Sequence, residues 1–303
     1  MTRKIDGRTQ LAGVVGWPLD HTLSPAMHNA AYEEMGLNWV YLPLPVPDET
    51  ALLRFASAAK VLPFVGFNVT MPYKTVMANL CDEVAAMAEL AGAVNTVHVV
   101  DGKLIGYNTD GRGLVESLRE EAGFEAKDKA VVLVGAGGAA GAALVAMVLE
   151  GAARVVLVNR TLDRAQALVR RVSARARSTV VEALPMDGSA EDTVRAADLV
   201  VNCTPLGMRP DDPTPVPASW LREGQVVADM VYRPAQTEFV KMALQRGAKG
   251  IGGLGMLVSQ GAIAIEIWHS VAQKIAPRGI MRAAAEEAIS RVPSPASRGS
   301  EEK

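Results

Sequence analysis

Cysteine is nearly absent from this sequence: only Cys81 and Cys203 occur in 303 residues, and neither belongs to a CxxC or Cys/His pattern. Such usage excludes a disulfide scaffold and fits reduced core or near-core thiols in a cytosolic protein. Excess positive charge is missing too, since 31 Lys and Arg stand against 33 Asp and Glu for a net charge of −2. A nucleic-acid binder would carry a basic surplus, so no such partner is expected. The stretch Met1-Thr-Arg-Lys-Ile-Asp lacks the apolar core of a signal peptide, and the chain shows no fixed-period repeat. Of the histidines, His21, His28, His98 and His269, no two share a ligand-like spacing, so no metal is expected and all four read as loop or helix-surface residues. What remains is a cytoplasmic globular chain long enough for two domains.

What is present is organised around residues 130–161. Ala130 to Val134 is an uncharged, β-branched run of the kind that makes a buried parallel strand. It ends in Gly135, Gly137 and Gly138, continues as an Ala/Leu/Val/Met helix to Leu149, and returns as a second strand from Arg154 to Val158. Strand, glycine-rich turn, helix and strand make the dinucleotide-binding βαβ unit. Gly135 permits the tight turn and Gly137 a close approach to a pyrophosphate, which the N–H groups and dipole at the helix start then hold. Residues 130–149 carry no charge and could be taken for a membrane span, but a glycine cluster would break such a span in its middle. An acid is also missing where NAD-binding units have one. Asn159, Arg160 and Thr161 follow the second strand, with Arg164 at helical spacing, and guanidiniums there favour a 2′-phosphate: NADP over NAD.

The flanking sequence alternates strands with helices, which predicts an α/β chain of two domains with mostly parallel sheets. Before the βαβ unit, strands are expected at 11–15, 39–46, 64–69, 93–100 and 103–107, the last two paired across Asp101-Gly102. Helices are expected at 26–35 with Ser24 as cap, from Asp48 or Glu49 to 59, at 74–80, 83–91 and 114–122. Beyond it, strands fall at 179–183, 199–202 and 225–230, and helices at 162–174, 192–197, 237–246, 256–270 and 278–291. The glycine-rich 247–255 reads as the return crossing between domains, and 293–303 as a disordered tail. A nicotinamide enzyme needs a proton-exchanging group, and Lys74 and Asp110 are the candidates because both follow strand ends and precede helices. Spacing alone leaves Lys74 open as a surface lysine and Asp110 as a helix cap.

A set of segments carries more than spacing does. Ser24-Pro25-x-Met27-His28, Asn68 to Lys74, Ala91 to Thr96, Asn108 to Gly111, Gly135-Ala-Gly-Gly-Ala, Asn159-Arg160-Thr161, Asn202 to Met208, Asp229 to Tyr232 and Gly255 to Gly261 closely resemble the shikimate dehydrogenases, in order from about Leu11 to the last helix. The resemblance implies an NADP-dependent enzyme interconverting 3-dehydroshikimate and shikimate, with Lys74 and Asp110 as its catalytic pair. It implies Thr22 and Ser24 at the substrate carboxylate, and Asn68, Thr70, Asn95, Asp110, Tyr232 and Gln260 around the rest of the substrate. Gly135, Gly137, Gly138, Ala139, Asn159, Arg160, Thr161, Arg164, Thr204, Met230 and Gly253 are implied at the cofactor. The first of the two carboxylate-binding positions, often serine, is here Thr22, whose added methyl group narrows the pocket. The family's division implies a substrate domain at 1–109 and 253–292 and an NADP domain at 110–252, in a monomer or homodimer. Quinate as a second substrate, or a non-catalytic NADP-binding regulator, are the other readings; the retained Lys74 and Asp110 speak against a regulator.

Overall fold

The computed structural model describes residues 5–176, 178–269 and 275–291, so the tail expected at 293–303 and the helix end expected at Ser270 lie outside the described residues. The chain forms β1 (Gln10–Gly16), α1 (Ser24–Glu34), β2 (Trp39–Pro45), α2 (Glu49–Ala59), β3 (Phe64–Val69), α3 (Lys74–Ala78), β4 (Glu83–Val84), α4 (Ala86–Ala91), β5 (Thr96–Val100), β6 (Lys103–Tyr107) and α5 (Asp110–Ser117). After a π-helical turn at Leu118–Ala122 come β7 (Ala130–Val134), α6 (Gly138–Leu149), β8 (Arg154–Asn159), α7 (Leu162–Ser173) and β9 (Val180–Pro185). The rest is α8 (Glu191–Ala196), β10 (Leu199–Asn202), β11 (Val226–Asp229), α9 (Glu238–Gln245), β12 (Lys249–Ile251), α10 (Leu254–Trp268) and α11 (Arg278–Arg291).

The strands form two sheets. The first runs β2-β1-β3-β5-β6-β4, with β2, β1 and β3 parallel and the β5–β6 hairpin inserted so that β5 is antiparallel to both neighbours. The second, β12-β11-β10-β7-β8-β9, is parallel throughout. Read from β9 inward, its order is that of the dinucleotide-binding fold, with the chain reversing direction between β7 and β10. Alternate residues of one strand serve opposite cores: Val131 and Leu133 face α6, while Val132 and Val134 face the layer of α8 and α9. Helices on both faces explain why these strands read as unbroken apolar runs.

The uncharged run at 130–149 has the same cause. Eight residues of α6, Ala140 to Met147, are buried because α6 lies between its own sheet and α4 and α5. Small residues let the backbones close up: a Cβ on Gly111 of α5 would lie 2.5 Å from the Ala142 carbonyl oxygen, and one on Gly141 would lie 2.4 Å from that of Ala91. No helix among the described residues is long and apolar enough to cross a membrane.

Three expectations need correction. Residues 83–91 are not one helix, because Glu83–Val84 pairs with β6 as a short edge strand before α4 begins. The glycine-rich stretch 247–255 is not simply a crossing, since Lys249–Ile251 forms β12 beside β11; Gly250 fits there because a Cβ would meet Val240 at 3.1 Å. Finally, His28 and His98 are not surface residues: His28 is 0% exposed beneath α10, and His98 is half-buried in β5. Burial likewise raises both thiols, Cys81 to about 12, and leaves them protonated and unreactive.

Burial lowers the His28 imidazole from 6.5 to about 4. Between those values the unfolded chain binds a proton that the folded chain refuses, so stability is present at neutral pH and is lost as pH falls from 6.5 towards 4. Unfolding free energies from denaturant titrations at pH 7 to pH 4 should therefore decline, by an amount on the order of 3 kcal/mol from this residue. The decline should be shallower in His28→Asn, which has no titrating group at this position.

Candidate active site

Because β5 runs antiparallel to β3, its beginning lies beside the end of β3, with Asn68 opposite Thr96, and Thr96 opposite Tyr107 at the end of β6. Three chain segments thus deliver side chains to one edge: the turn after β3, the residues before β5, and the start of α5. Lys74 is the first residue of α3, and its carbonyl is held by the Val94 N–H at 2.8 Å. Its Nζ lies 2.6 Å from Oδ2 of Asp110, with the lysine side chain 20% and the aspartate 6% exposed. Asn95 donates through Nδ2 to Oδ1 of Asp110 at 2.7 Å and to Thr109 Oγ1 at 2.9 Å, while its own Oδ1 accepts from the Thr109 N–H at 2.8 Å. Gln260 of α10 reaches the same cluster, its Oε1 3.3 Å from Asn95 Nδ2.

This geometry removes the two helix-cap readings. The residue capping α5 is Thr109, and Asp110 spends both carboxylate oxygens on Lys74 and Asn95. The residue capping α1 is Leu23, so Ser24 lies inside the first turn and no side chain caps that end. Removing either member of the pair would leave a charge uncompensated in a mostly buried site.

A second cluster continues from the first. Asn68 donates to Thr96 Oγ1 at 3.0 Å and accepts from the Tyr41 hydroxyl at 2.8 Å. Burial pushes the Tyr41 phenol well above its usual range, opposed by the adjacent Ser24 side chain and reinforced by Tyr232. Ser24, Asn68 and Tyr232 therefore all lie around the Tyr41 hydroxyl. Thr22 adjoins this group, its Oγ1 accepting from the Ser24 N–H at 3.3 Å, and Thr70 closes the end of β3, its N–H bonded to the Val15 carbonyl at 2.9 Å.

The glycine turn faces these residues. Gly135 has φ +119°, a conformation that favours glycine, and a Cβ there would lie 3.0 Å from Thr204. A Cβ on Gly138 would lie 3.0 Å from Ala93 and 3.4 Å from the Lys74 Cβ, so the start of α6, Gly138 and Ala139, abuts the lysine's own segment. Gly137 is exposed with open space above it, and no side chain caps α6. At the end of β8, Asn159 donates to the Thr161 carbonyl at 2.8 Å, while Arg160, Thr161 and Arg164 are exposed. The two guanidiniums make no hydrogen bond or ion pair among the described residues. Met230 and Gly253 sit together past β11, where a Cβ on Gly253 would lie 2.4 Å from the Met230 carbonyl oxygen.

Sequence reasoning missed the residues that hold this edge in shape. Tyr41 lies within an expected strand and Thr96 ends a matching segment, and the sequence assigned neither a role. Asp229 is a buried carboxylate that accepts from Thr237 Oγ1 at 2.6 Å, Asn202 Nδ2 at 2.9 Å and the Val231 N–H at 2.9 Å, pinning the segment of Met230 and Tyr232. Burial raises its pKa. Asp229 lay in one of the matching segments, but the sequence assigned it no role.

A doubly covered parallel sheet with a glycine turn, set against a buried lysine–carboxylate pair, defines an oxidoreductase of the nicotinamide-dependent dehydrogenase class. Comparison with known proteins makes this specific. Residues 14–97 match the shikimate dehydrogenase substrate binding domain, and residues 117–206 match shikimate / quinate 5-dehydrogenase. The chain is 44% identical over 283 residues to the shikimate dehydrogenase (NADP(+)) of Methanopyrus kandleri, covering 92% of this chain and 96% of that one. A crystal structure of a shikimate dehydrogenase in complex with NADP+ superposes with TM-score 0.85 at 39% identity, covering 94% and 98% of the two chains. A quinate dehydrogenase from Corynebacterium glutamicum in complex with NAD superposes with TM-score 0.83 at 33% identity, covering 92% and 99%. The chain belongs to the shikimate dehydrogenase family.

Asn95 is the hub of the polar cluster and is 2% exposed. Asn95→Ala would strand Asp110 Oδ1 and the Thr109 N–H without their partner, which should cost roughly 2–4 kcal/mol in urea denaturation. A variant as stable as the wild type would show that these groups find other partners.

Proposed function

We propose that this chain is an NADP-dependent enzyme that reversibly reduces 3-dehydroshikimate to shikimate in aromatic amino acid biosynthesis. The observation that carries this is the Lys74–Asp110 pair at 2.6 Å, set directly against the glycine turn. The reading divides the chain into a substrate domain at 1–109 and 253–292 and an NADP domain at 110–252, and makes the protein a cytoplasmic monomer or homodimer.

The residues present fit the cofactor. The open face at Gly137 and the uncapped start of α6 suit a pyrophosphate, with Gly135, Gly138, Ala139, Thr204, Met230 and Gly253 around the cleft. Arg160 and Arg164, without an ion-pair partner among the described residues, suit a 2′-phosphate beside Asn159 and Thr161. NADPH, when bound, supplies the hydride to the ring ketone carbon. Lys74 gives its proton to the ketone oxygen, so that C=O becomes CH–OH, and the cation meets charge as it develops on that oxygen. Asp110 and Asn95 hold the lysine and an adjacent substrate hydroxyl. Thr22 and Ser24 take the substrate carboxylate, and Asn68, Thr70, Tyr232 and Gln260 surround the remainder.

The test is NADPH formation with shikimate and with quinate, each with NADP and with NAD. Turnover of shikimate with NADP is expected; turnover of quinate at a comparable rate would make the enzyme a quinate/shikimate dehydrogenase. NADP binding without turnover of either acid would favour a regulator. Within an active enzyme, Lys74→Ala should lower kcat by roughly 10²–10⁴ with little change in KM. Retention of near-full kcat would remove Lys74 from proton transfer. A charge-assisted bond from Arg160 should favour NADP over NAD by roughly 10- to 100-fold in kcat/KM. Arg160→Ala should erase most of that ratio by weakening NADP alone, and an unchanged ratio would place the 2′-phosphate elsewhere.

A further inference from the structure

His28 is a fully buried titratable side chain lying between Ser24, Tyr41 and Gly261. Its Nδ1 lies 2.9 Å from the Ser24 carbonyl oxygen, and since a carbonyl only accepts, Nδ1 carries the hydrogen. That bond ties the ring to the first turn of α1. One face of the ring stacks on Tyr41, with centroids 4.0 Å apart and planes 20° apart, and the Tyr41 hydroxyl donates to Asn68 Oδ1 at 2.8 Å. The other edge abuts α10 beside Gln260: a Cβ on Gly261 would lie 3.1 Å from His28 Cε1. Nε2 lies against this backbone without a well-formed hydrogen bond.

We infer that His28 is a positioning residue, which fixes the spacing between the carboxylate-binding start of α1 and the hydroxyl-binding side chains Asn68 and Gln260. The inference rests on the function proposed above. The ring belongs to α1 and abuts α10 directly, and it reaches Asn68 of β3 through the stacked Tyr41 of β2, so a shift of the ring moves the anchors relative to one another. A neutral ring serves this purpose, because it donates one hydrogen to Ser24 and stacks without bringing a buried charge.

The test uses His28→Leu, His28→Asn and Gly261→Ala in steady-state kinetics with shikimate and NADP, alongside thermal unfolding. His28→Leu removes both the donor and the stacking partner and should raise the shikimate KM roughly five- to ten-fold while leaving the NADP KM unchanged. His28→Asn keeps a donor for the Ser24 carbonyl and should recover part of that loss. Gly261→Ala pushes on the ring and on the flexible end of Met281 from α10 while favouring the helix, so it should raise the shikimate KM with thermal stability changed far less than in His28→Leu. It carries the test alone if His28→Leu does not fold. A wild-type shikimate KM in Gly261→Ala and in the folded His28 variants, or parallel losses in both KM values, would overturn the inference. Absence of wild-type activity with shikimate would instead overturn the proposed function.

Discussion

The close approach of α4 and α5 to α6 is the constraint on which the rest depends. Glycine at 111 and 141 lets helices from the two sheets touch through their backbones, with positions 138 and 142 completing the seam. That contact sets the glycine turn against Lys74. A side chain of ordinary size at any of these points would push the sheets apart and separate the lysine from the turn. Packed backbones of this kind are stiff, so a small displacement would be felt as a shift of the Lys74–Asp110 pair against the glycine turn.

Around that seam the polar groups form a connected set. Asp110, Asn95, Thr109, Gln260, Thr96, Asn68 and Tyr41 each satisfy another member, and the set extends from Lys74 to the start of α1. Buried polar groups cost free energy unless paired, and a complete network removes that cost while leaving each side chain one orientation. The antiparallel hairpin β5–β6 makes this possible: it turns the beginning of one strand and the end of another toward the end of β3. A wholly parallel sheet would have sent Asn95 to the opposite edge from Asn68.

The cofactor edge follows a different logic. Arg160 and Arg164 are exposed and make no hydrogen bond or ion pair among the described residues, and Gly137 faces open space, whereas the edge of Lys74 and Asp110 is cross-bonded. One edge suits a large polar ligand that arrives with its own charges. The other suits a small acid whose every group must be met. Asp229 links the two by pinning the segment of Met230 and Tyr232 between them.

Much was legible from the sequence because the signals were local. The βαβ unit, the basic residues after β8, most strand positions and the order of the matching segments rest on composition and spacing over a few residues. By itself the sequence determined the fold class, the nicotinamide chemistry and the candidate pair. It could not show that β12 exists, that Asp110 and Ser24 lie inside helices rather than capping them, or that His28 is buried. Those depend on contacts between residues far apart in the chain: Lys249 beside Val226, Lys74 beside Asp110, and His28 between Tyr41 and Gly261. Only the tertiary structure decided them, because burial and hydrogen-bond partners are properties of the packed chain and not of any one segment.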